Sequence, residues 1–380
     1  MHERPAICRT FSQVTDDQIP QTEEGLMKVF GIASPNAPAE EIDIDAPELT
    51  GASVLVRITN SGVCHSDLHA REGFFDLGDA GKLPYTSAGA EYPLVLGHEI
   101  VGEVVAAGPE SSVQPGDEKF IVFPWIGCGQ CQACAEDREN YCTGAKRNLS
   151  VALNGGYARE VWVPDSRYLV PVGDLDPSWA ATLACSGLTS YAATTKVLTP
   201  EVDRPIAVIG TGGVGLSVIP ILKARGHNNI VAADVSEAAL ENAKAAGATA
   251  TVLTTGENPV ADLIAAGGGK LAGAIDFVNN GATSGLALSA LGIGGKLVSV
   301  GLFGGQLAFP TTLLALSQLK IEGNFVGSLP ELKALVELAG ETDLPRLPIQ
   351  ERPLEAENVT GALDDLANRA VTGRVVLVAG

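Results

Sequence analysis

Six short, nearly continuous apolar runs mark the second half of the chain, at 206–210, 229–234, 249–253, 274–280, 296–302 and 320–326. Each is separated from the next by a segment of helix length, most of them rich in Ala. Buried strands that alternate with helices predict a parallel, doubly wound α/β sheet with helices on both faces. The first half reads differently. Residues 27–60, 94–122 and 157–172 suggest short strands broken by Gly and Pro, with 53–59 (SVLVRIT) the most β-branched. Residues 73–92 have loop composition, and 127–148 carry Cys, Gly and charge without any period, so both are expected to be loops. After Pro330, two helical stretches precede a terminal strand, Arg374–Val378, which should rejoin the first half. The change of character near residue 190 predicts two domains, 1–192 completed by 330–380, and 193–329.

Length supports that division, because 380 residues exceed one ordinary core. Apolar residues make up 46 %, and no run is long enough to span a membrane. Residues 1–11 lack an apolar signal core, so a cytoplasmic protein is expected. The formal charge of -20 repels phosphate backbones and argues against nucleic acid as a partner. An anionic cofactor would have to be held by local backbone groups and a few bases.

One such place follows the run at 206–210. The turn reads Gly210-Thr211-Gly212-Gly213-Val214-Gly215 and leads into an apolar helical segment. Gly210 permits a tight turn, Gly212 lets backbone approach a pyrophosphate, and Gly215 lets helix and strand pack closely. The helix N-terminus then offers free N–H groups to phosphate. Asp234 ends the next strand, where a carboxylate bonds ribose hydroxyls and would repel a 2′-phosphate. NAD is therefore expected over NADP, since residues 235–237 bring no base to offset the repulsion.

The chain has seven cysteines, and Cys128, Cys131, Cys134 and Cys142 fall within fifteen residues. Four thiolates around one Zn²⁺ make a closed tetrahedral site that ties down a loop without a core. An iron–sulfur cluster is the competing reading of this spacing, and two disulfides the bland one. Of the other three, Cys64 and Cys185 join the scarce histidines. Three of only five lie in two local motifs, Gly62-Val63-Cys64-His65-Ser66-Asp67-Leu68-His69 and Gly97-His98-Glu99. A lone His or Cys is commonly a core or surface residue. Their clustering points instead to a Cys₂His set of Cys64, His98 and Cys185, whose three ligands leave a fourth position open for catalysis. Zinc itself has no redox chemistry, so a hydride acceptor is required, and the nucleotide fold can supply one.

With these motifs in view, the sequence resembles the zinc-dependent alcohol dehydrogenases of the medium-chain dehydrogenase/reductase superfamily, from about Met27 to the end. The residues that carry the likeness are GVCHSDLH at 62–69, LGHE at 96–99, GCGQCQACAEDRENYC at 127–142, ACSGLTSY at 184–191 and GTGGVG at 210–215. The resemblance implies a mostly-β, GroES-like catalytic domain with two zinc ions per subunit, and a Rossmann domain for NAD. It further implies that Glu99 visits the catalytic metal and that Asp67 orients the metal-bound His98. Ser66 would take the substrate proton and His69 would pass it to solvent through the cofactor ribose. His65 and Arg374 would contact the pyrophosphate, and Thr189, Val214 and Val300 would line the nicotinamide. A homodimer or homotetramer, joined through edge strands of the nucleotide domain, follows by the same analogy.

The implied reaction is reversible oxidation of a primary or secondary alcohol by NAD. Pro124 and Trp125, expected near the substrate, favour a hydrophobic or aromatic one. The alternatives are a polyol, sugar acid or glutathione adduct as substrate, or a non-enzymatic crystallin-like or NAD-sensing role. Residues 73–92 stand where the family is shorter, so the substrate pocket is where departures from it are expected.

Overall fold

A computed structural model describes residues 25–342 and 344–380. The expectations for residues 1–11, and Cys8, lie outside the described residues.

Six parallel strands form the sheet anticipated from the apolar runs. Their order is Ala250–Leu253, Ile230–Asp234, Ile206–Ile209, Leu271–Asp276, Leu291–Ser299 and Lys320–Gly323. Side chains alternate between two cores, one on each face. Ile206, Val208, Ile230 and Ala232 enter one, while Ala207, Ile209, Val231 and Ala233 enter the other. That two-sided burial explains why the runs were almost wholly apolar. The strand order reverses beside Ile206–Ile209, between Ile230–Asp234 and Leu271–Asp276. A crevice at the carboxyl ends of the strands is placed there.

The first half builds a second, mainly antiparallel sheet of seven strands. Along its main path lie Leu169–Pro171, Lys119–Val122, Glu99–Ala107, Val54–Gly62, Arg374–Val378 and Ile349–Pro353, with Glu160–Val163 pairing on Val54–Gly62. The terminal strand does rejoin this half, with Val376 opposite Gly62. Leu26–Ile32, Ala39–Asp45 and Leu94–Val95 make a small third sheet. A GroES-like fold and a Rossmann-like parallel sheet are thus both present. Among the described residues, no helix is long and apolar enough to cross a membrane.

Four expectations need correction. Strand 274–280 runs instead as Leu271–Asp276, because Asp276 accepts hydrogen bonds from the N–H groups of Val278 (3.0 Å) and Asn279 (2.7 Å) and turns the chain. Residues 73–92 are not merely a loop: Phe74–Asp76 and Lys82–Pro84 pair as a hairpin. Residues 127–148 contain two helical turns, Gln132–Ala135 and Glu139–Tyr141, where the cysteines converge. Ile349–Pro353 is a strand that its charged residues concealed, since it sits exposed and pairs only on Arg374–Val378.

A candidate metal and dinucleotide site

Cys64, His98 and Cys185 reach one point from three segments. Cys64 follows the Val54–Gly62 strand and stands at the N-terminus of helix His65–Glu72. His98 precedes strand Glu99–Ala107, after Gly97, whose φ of +86° favours glycine. Cys185 lies in the wide helical turn Leu183–Gly187, a geometry frequent at functional sites. Their ligand atoms all lie within 4.8 Å of one another, and all three residues are buried.

Asp67 organises this point. It is 1 % exposed and accepts from four donors: the N–H groups of Cys64 (3.0 Å) and Gly97 (3.0 Å), His98 Nδ1 (3.0 Å) and the Tyr157 hydroxyl (3.1 Å). A carboxylate only accepts, so Nδ1 carries a proton, and Nε2 is the ring nitrogen left to face a metal. His98 Nε2 is buried without any partner. An unpaired imidazole nitrogen facing two thiols in a dry site is a costly arrangement unless a cation completes it, and a borderline-soft ion such as zinc suits this donor set. Donation from Cys185 pulls the Cys64 thiol well below its ordinary pKa, which favours one thiolate even before a metal binds.

Glu99 is fully buried beside this set, but its oxygens are not among the clustered ligand atoms. It pairs with Arg374 and accepts from the Ser186 N–H at 3.2 Å. Burial pushes its carboxyl up to about 7, against the pull of Arg374. Arg374 also donates to Ser186 and to the Val63 carbonyl, so its guanidinium is committed within the protein while its stem lies against Gly213.

Ser66 is half-buried, with Oγ 4.0 Å from Cys64 Sγ. His69 lies three residues further along the same helix, its Nδ1 3.5 Å from Glu72. The two share a helix face without bonding each other. His65 is exposed, its ring 6.2 Å from that of Phe303. On the other side of His98, Trp125 packs at 5.3 Å and donates to the Ala184 carbonyl at 3.1 Å.

The glycine-rich turn meets each geometric demand set by its sequence. Gly210 has φ +81°, Gly212 has open space where a side chain would stand, and a Cβ on Gly215 would overlap the Gly210 carbonyl. Helix Gly213–Ala224 begins without a side-chain cap, which leaves its first N–H groups free for an anion. Asp234 lies beside the turn and accepts from Thr211 N–H at 2.7 Å. Thr189 is buried, while Val214 and Val300 are half-buried. One cleft is lined by Cys64, His65, Gly212, Gly213, Val214 and Arg369. The thiol site and the glycine-rich turn therefore open on the same space. Arg369, an exposed cation there with φ +56°, had no motif to announce it.

Cys128, Cys131, Cys134 and Cys142 also converge within 4.8 Å. Backbone N–H groups point at the sulfurs, from Cys128 to Cys142 Sγ (3.2 Å) and from Gln130 to Cys128 Sγ (3.5 Å), and the Gln130 N–H pulls the Cys128 thiol below its ordinary value. A Cβ on Gly144 would come within 2.7 Å of Cys128 Sγ, so the chain wraps the sulfurs tightly. All four are free of disulfides, and four sulfurs fit a closed tetrahedral zinc.

Sequence reasoning missed Tyr157 and Ser186. Ser186 adjoins Cys185 and could have been suspected from that, whereas Tyr157 carries no local signal.

Fold and site together define an α/β oxidoreductase with a cleft beside the glycine-rich turn. Residues 51–174 match the alcohol dehydrogenase GroES-like domain, and residues 213–341 match the zinc-binding dehydrogenase domain. An NAD-dependent alcohol dehydrogenase of Sulfurisphaera tokodaii is 34 % identical over 355 residues, covering 93 % of this chain and 100 % of that one. One of Saccharolobus solfataricus is 32 % identical, with 93 % and 100 % covered. The chain belongs to the zinc-binding alcohol dehydrogenase family. Among solved structures, the alcohol dehydrogenase of Aeropyrum pernix superposes with a TM-score of 0.81 at 29 % identity, covering 92 % of this chain and 99 % of that one. The D-arabinose dehydrogenase of Sulfolobus solfataricus gives 0.77 at 26 %, with 93 % and 99 % covered.

Proposed function

We propose that this protein is a zinc-dependent, NAD-linked alcohol dehydrogenase that holds two zinc ions per chain. Its substrate is a primary or secondary alcohol with a hydrophobic or aromatic group. Residues 1–192 with 330–380 form the catalytic domain, and 193–329 the nucleotide domain. One observation carries the reading: a Cys₂His set with an unpartnered His98 Nε2 opens on the same cleft as the glycine-rich turn.

When bound, zinc polarises the substrate oxygen and NAD accepts a hydride. The chain does the rest. Cys64, His98 and Cys185 hold the metal, and Asp67 fixes His98 with Nε2 toward it. Ser66, beside Cys64, receives the hydroxyl proton at Oγ. His69 carries it outward, since an imidazole both takes and gives protons. Gly212, Gly213 and the helix N-terminus bind the pyrophosphate, with His65 and Arg369 supplying basic groups. Asp234 binds the ribose and disfavours NADP. Cys128, Cys131, Cys134 and Cys142 hold the second ion, which has no open position and serves structure.

NAD reduction measured with a panel of alcohols, on protein of known zinc content, tests the reading. Cys64→Ala should lose turnover yet still bind NADH. Full turnover in that variant overturns the catalytic site.

A further inference from the structure

Strand Leu271–Asp276 ends on a carboxylate that the proposed chemistry does not use. Asp276 is fully buried, and no cation pairs with it among the described residues. An isolated buried charge is costly, and four donors offset this one. Oδ1 accepts from the N–H groups of Val278 (3.0 Å) and Asn279 (2.7 Å), and Oδ2 from the hydroxyls of Thr283 (2.8 Å) and Ser284 (3.0 Å). The next helix does not need it as a cap. Asn280 already caps Gly281–Ala290, accepting from the Thr283 N–H at 2.9 Å. What Asp276 fixes is the turn at 277–280, where Asn279 takes φ +56°.

That turn interlocks with a second one, which follows strand Leu291–Ser299. The Asp276 carbonyl accepts from the N–H groups of Val300 and Gly301, both at 3.0 Å. Asn279 Nδ2 donates to the Gly301 carbonyl at 2.9 Å. A Cβ on Gly301 would come within 2.3 Å of the Phe277 and Val278 carbonyl oxygens, so the two backbones lie in direct contact. Asp276 pairs in register with Ile209, the residue before Gly210. Both turns therefore border the reversal of strand order, on the side away from Asp234. A doubly wound sheet takes one mononucleotide on each of its halves. Asp234 marks the adenosine half, and the turns at 277–280 and 300–301 border the half left for the nicotinamide riboside.

We propose that Asp276 is a positioning residue for the nicotinamide half of the cofactor. Its carboxylate holds one turn and its carbonyl the other, so that this half of NAD meets a preformed surface. The inference rests on the NAD-linked reading. The Asp276 side chain bonds only to residues within 278–284 among the described residues, so it acts on the cofactor through the backbone it orders. Ordering a surface beforehand removes that cost from the binding step.

The test titrates parent, Asp276→Ala, Asp276→Asn and Asn279→Gly with NADH by fluorescence and with ADP by calorimetry, alongside thermal denaturation. ADP carries the adenosine and the pyrophosphate but no nicotinamide riboside. Asp276→Ala leaves the N–H groups of Val278 and Asn279 without an acceptor. It should weaken NADH by about tenfold, the size of one lost buried hydrogen bond, and ADP by less than about threefold. Asp276→Asn should stay within about threefold of the parent for both ligands, since its amide oxygen accepts from the two N–H groups and its NH₂ donates to the two hydroxyls. A merely structural role would lower the melting temperature without moving the NADH-to-ADP affinity ratio. The proposal is overturned if Asp276→Ala keeps that ratio within about twofold of the parent. It is also overturned if Asp276→Asn falls as far as Asp276→Ala, which would assign the effect to charge. Should Asp276→Ala fail to fold, Asn279→Gly keeps the positive φ and removes the side-chain tie to Gly301, and should weaken NADH relative to ADP by about threefold; an unchanged ratio refutes the role. A parent that binds neither ligand refutes the NAD reading and the proposal together, whereas variants that fail in a parent that binds both refute the positioning role alone.

Discussion

Two groups of cysteines converge in this molecule, by opposite routes. Cys64, His98 and Cys185 are buried, and Cys64 and Cys185 lie 121 residues apart in sequence. Each hangs on a strand end or a helical turn that packs for its own reasons, within the largest apolar core. The four-cysteine lobe comes from fifteen consecutive residues, contains two short helical turns, and leaves Cys128 and Cys131 half-exposed. In the first case the fold assembles the ligands. In the second, little but a bound ion could hold the ligands together, since short loops without apolar burial cannot offset their own ordering entropy. On the proposed reading, the same side chain serves chemistry where the scaffold is rigid and stability where it is absent.

The contrast breaks if the wrong property fails on mutation. Cys185→Ala should show the largest effect. Metal polarisation of an oxygen is worth several kcal/mol, so turnover should fall by about 10³-fold or more. The melting temperature should move by only a few degrees, because alanine fills most of the space in a site already organised by its surroundings. Calorimetry and NAD-reduction rates on one preparation check both halves. A variant that unfolds would mean the metal also builds this site.

Cys134→Ala should do the reverse. It should release one zinc per chain, lower the melting temperature by roughly 5 °C or more, and reduce kcat at low temperature by less than about tenfold. Metal analysis with thermal denaturation reads the outcome. Loss of turnover equal to that of Cys185→Ala, in protein still folded, would show the lobe to be part of the chemistry.

Asp67→Asn comes next in size. The amide keeps the shape but loses the charge and one of the acceptor roles that hold His98, Gly97 and Cys64. Removing such a partner typically costs 10- to 100-fold in metal affinity or activity. Zinc retention under a competing chelator should fall at the buried site, while the four-cysteine lobe keeps its ion.

The two routes also explain what could be read from sequence. The lobe was legible because all its ligands share one short segment. The glycine-rich turn was legible because Gly210, Gly212 and Gly215 each meet a local backbone demand, and such demands leave a residue signature. The Cys₂His set could be suspected only because Cys and His are scarce here. Features settled by distant contacts stayed hidden. Strand Leu271–Asp276 ends where Asp276 caps the following turn and Asn279 takes φ +56°, which no apolar period records. The hairpin within 73–92 has strands too short to show alternation and exists through its contacts with Gly304, Gly305 and His69. Arg374 lines the cleft beside Gly212 and Gly213, as expected of a phosphate contact, and its bonds to Glu99, Ser186 and the Val63 carbonyl are partners set by the sheet pairing of the last strand that no local pattern announces.

Tyr157 offers the finest test of the claim that the scaffold, and not the ion, organises the buried site. Its ring is fully buried, and a Cβ on Gly97 would lie 2.6 Å from it, so the ring has no room to move. Tyr157→Phe therefore removes the hydroxyl and nothing else. Asp67 would keep three donors, from Cys64, Gly97 and His98, and lose one neutral hydrogen bond. A net loss of about 1 kcal/mol in stability is expected, with a decrease in kcat/KM below about tenfold. If the scaffold holds the site, that loss appears equally in metal-free and zinc-loaded protein, as measured by denaturant unfolding of each. A loss seen only in the zinc-loaded form would mean that the donors around Asp67 are arranged by the metal, and the distinction between the two cysteine sites would shrink to one of degree.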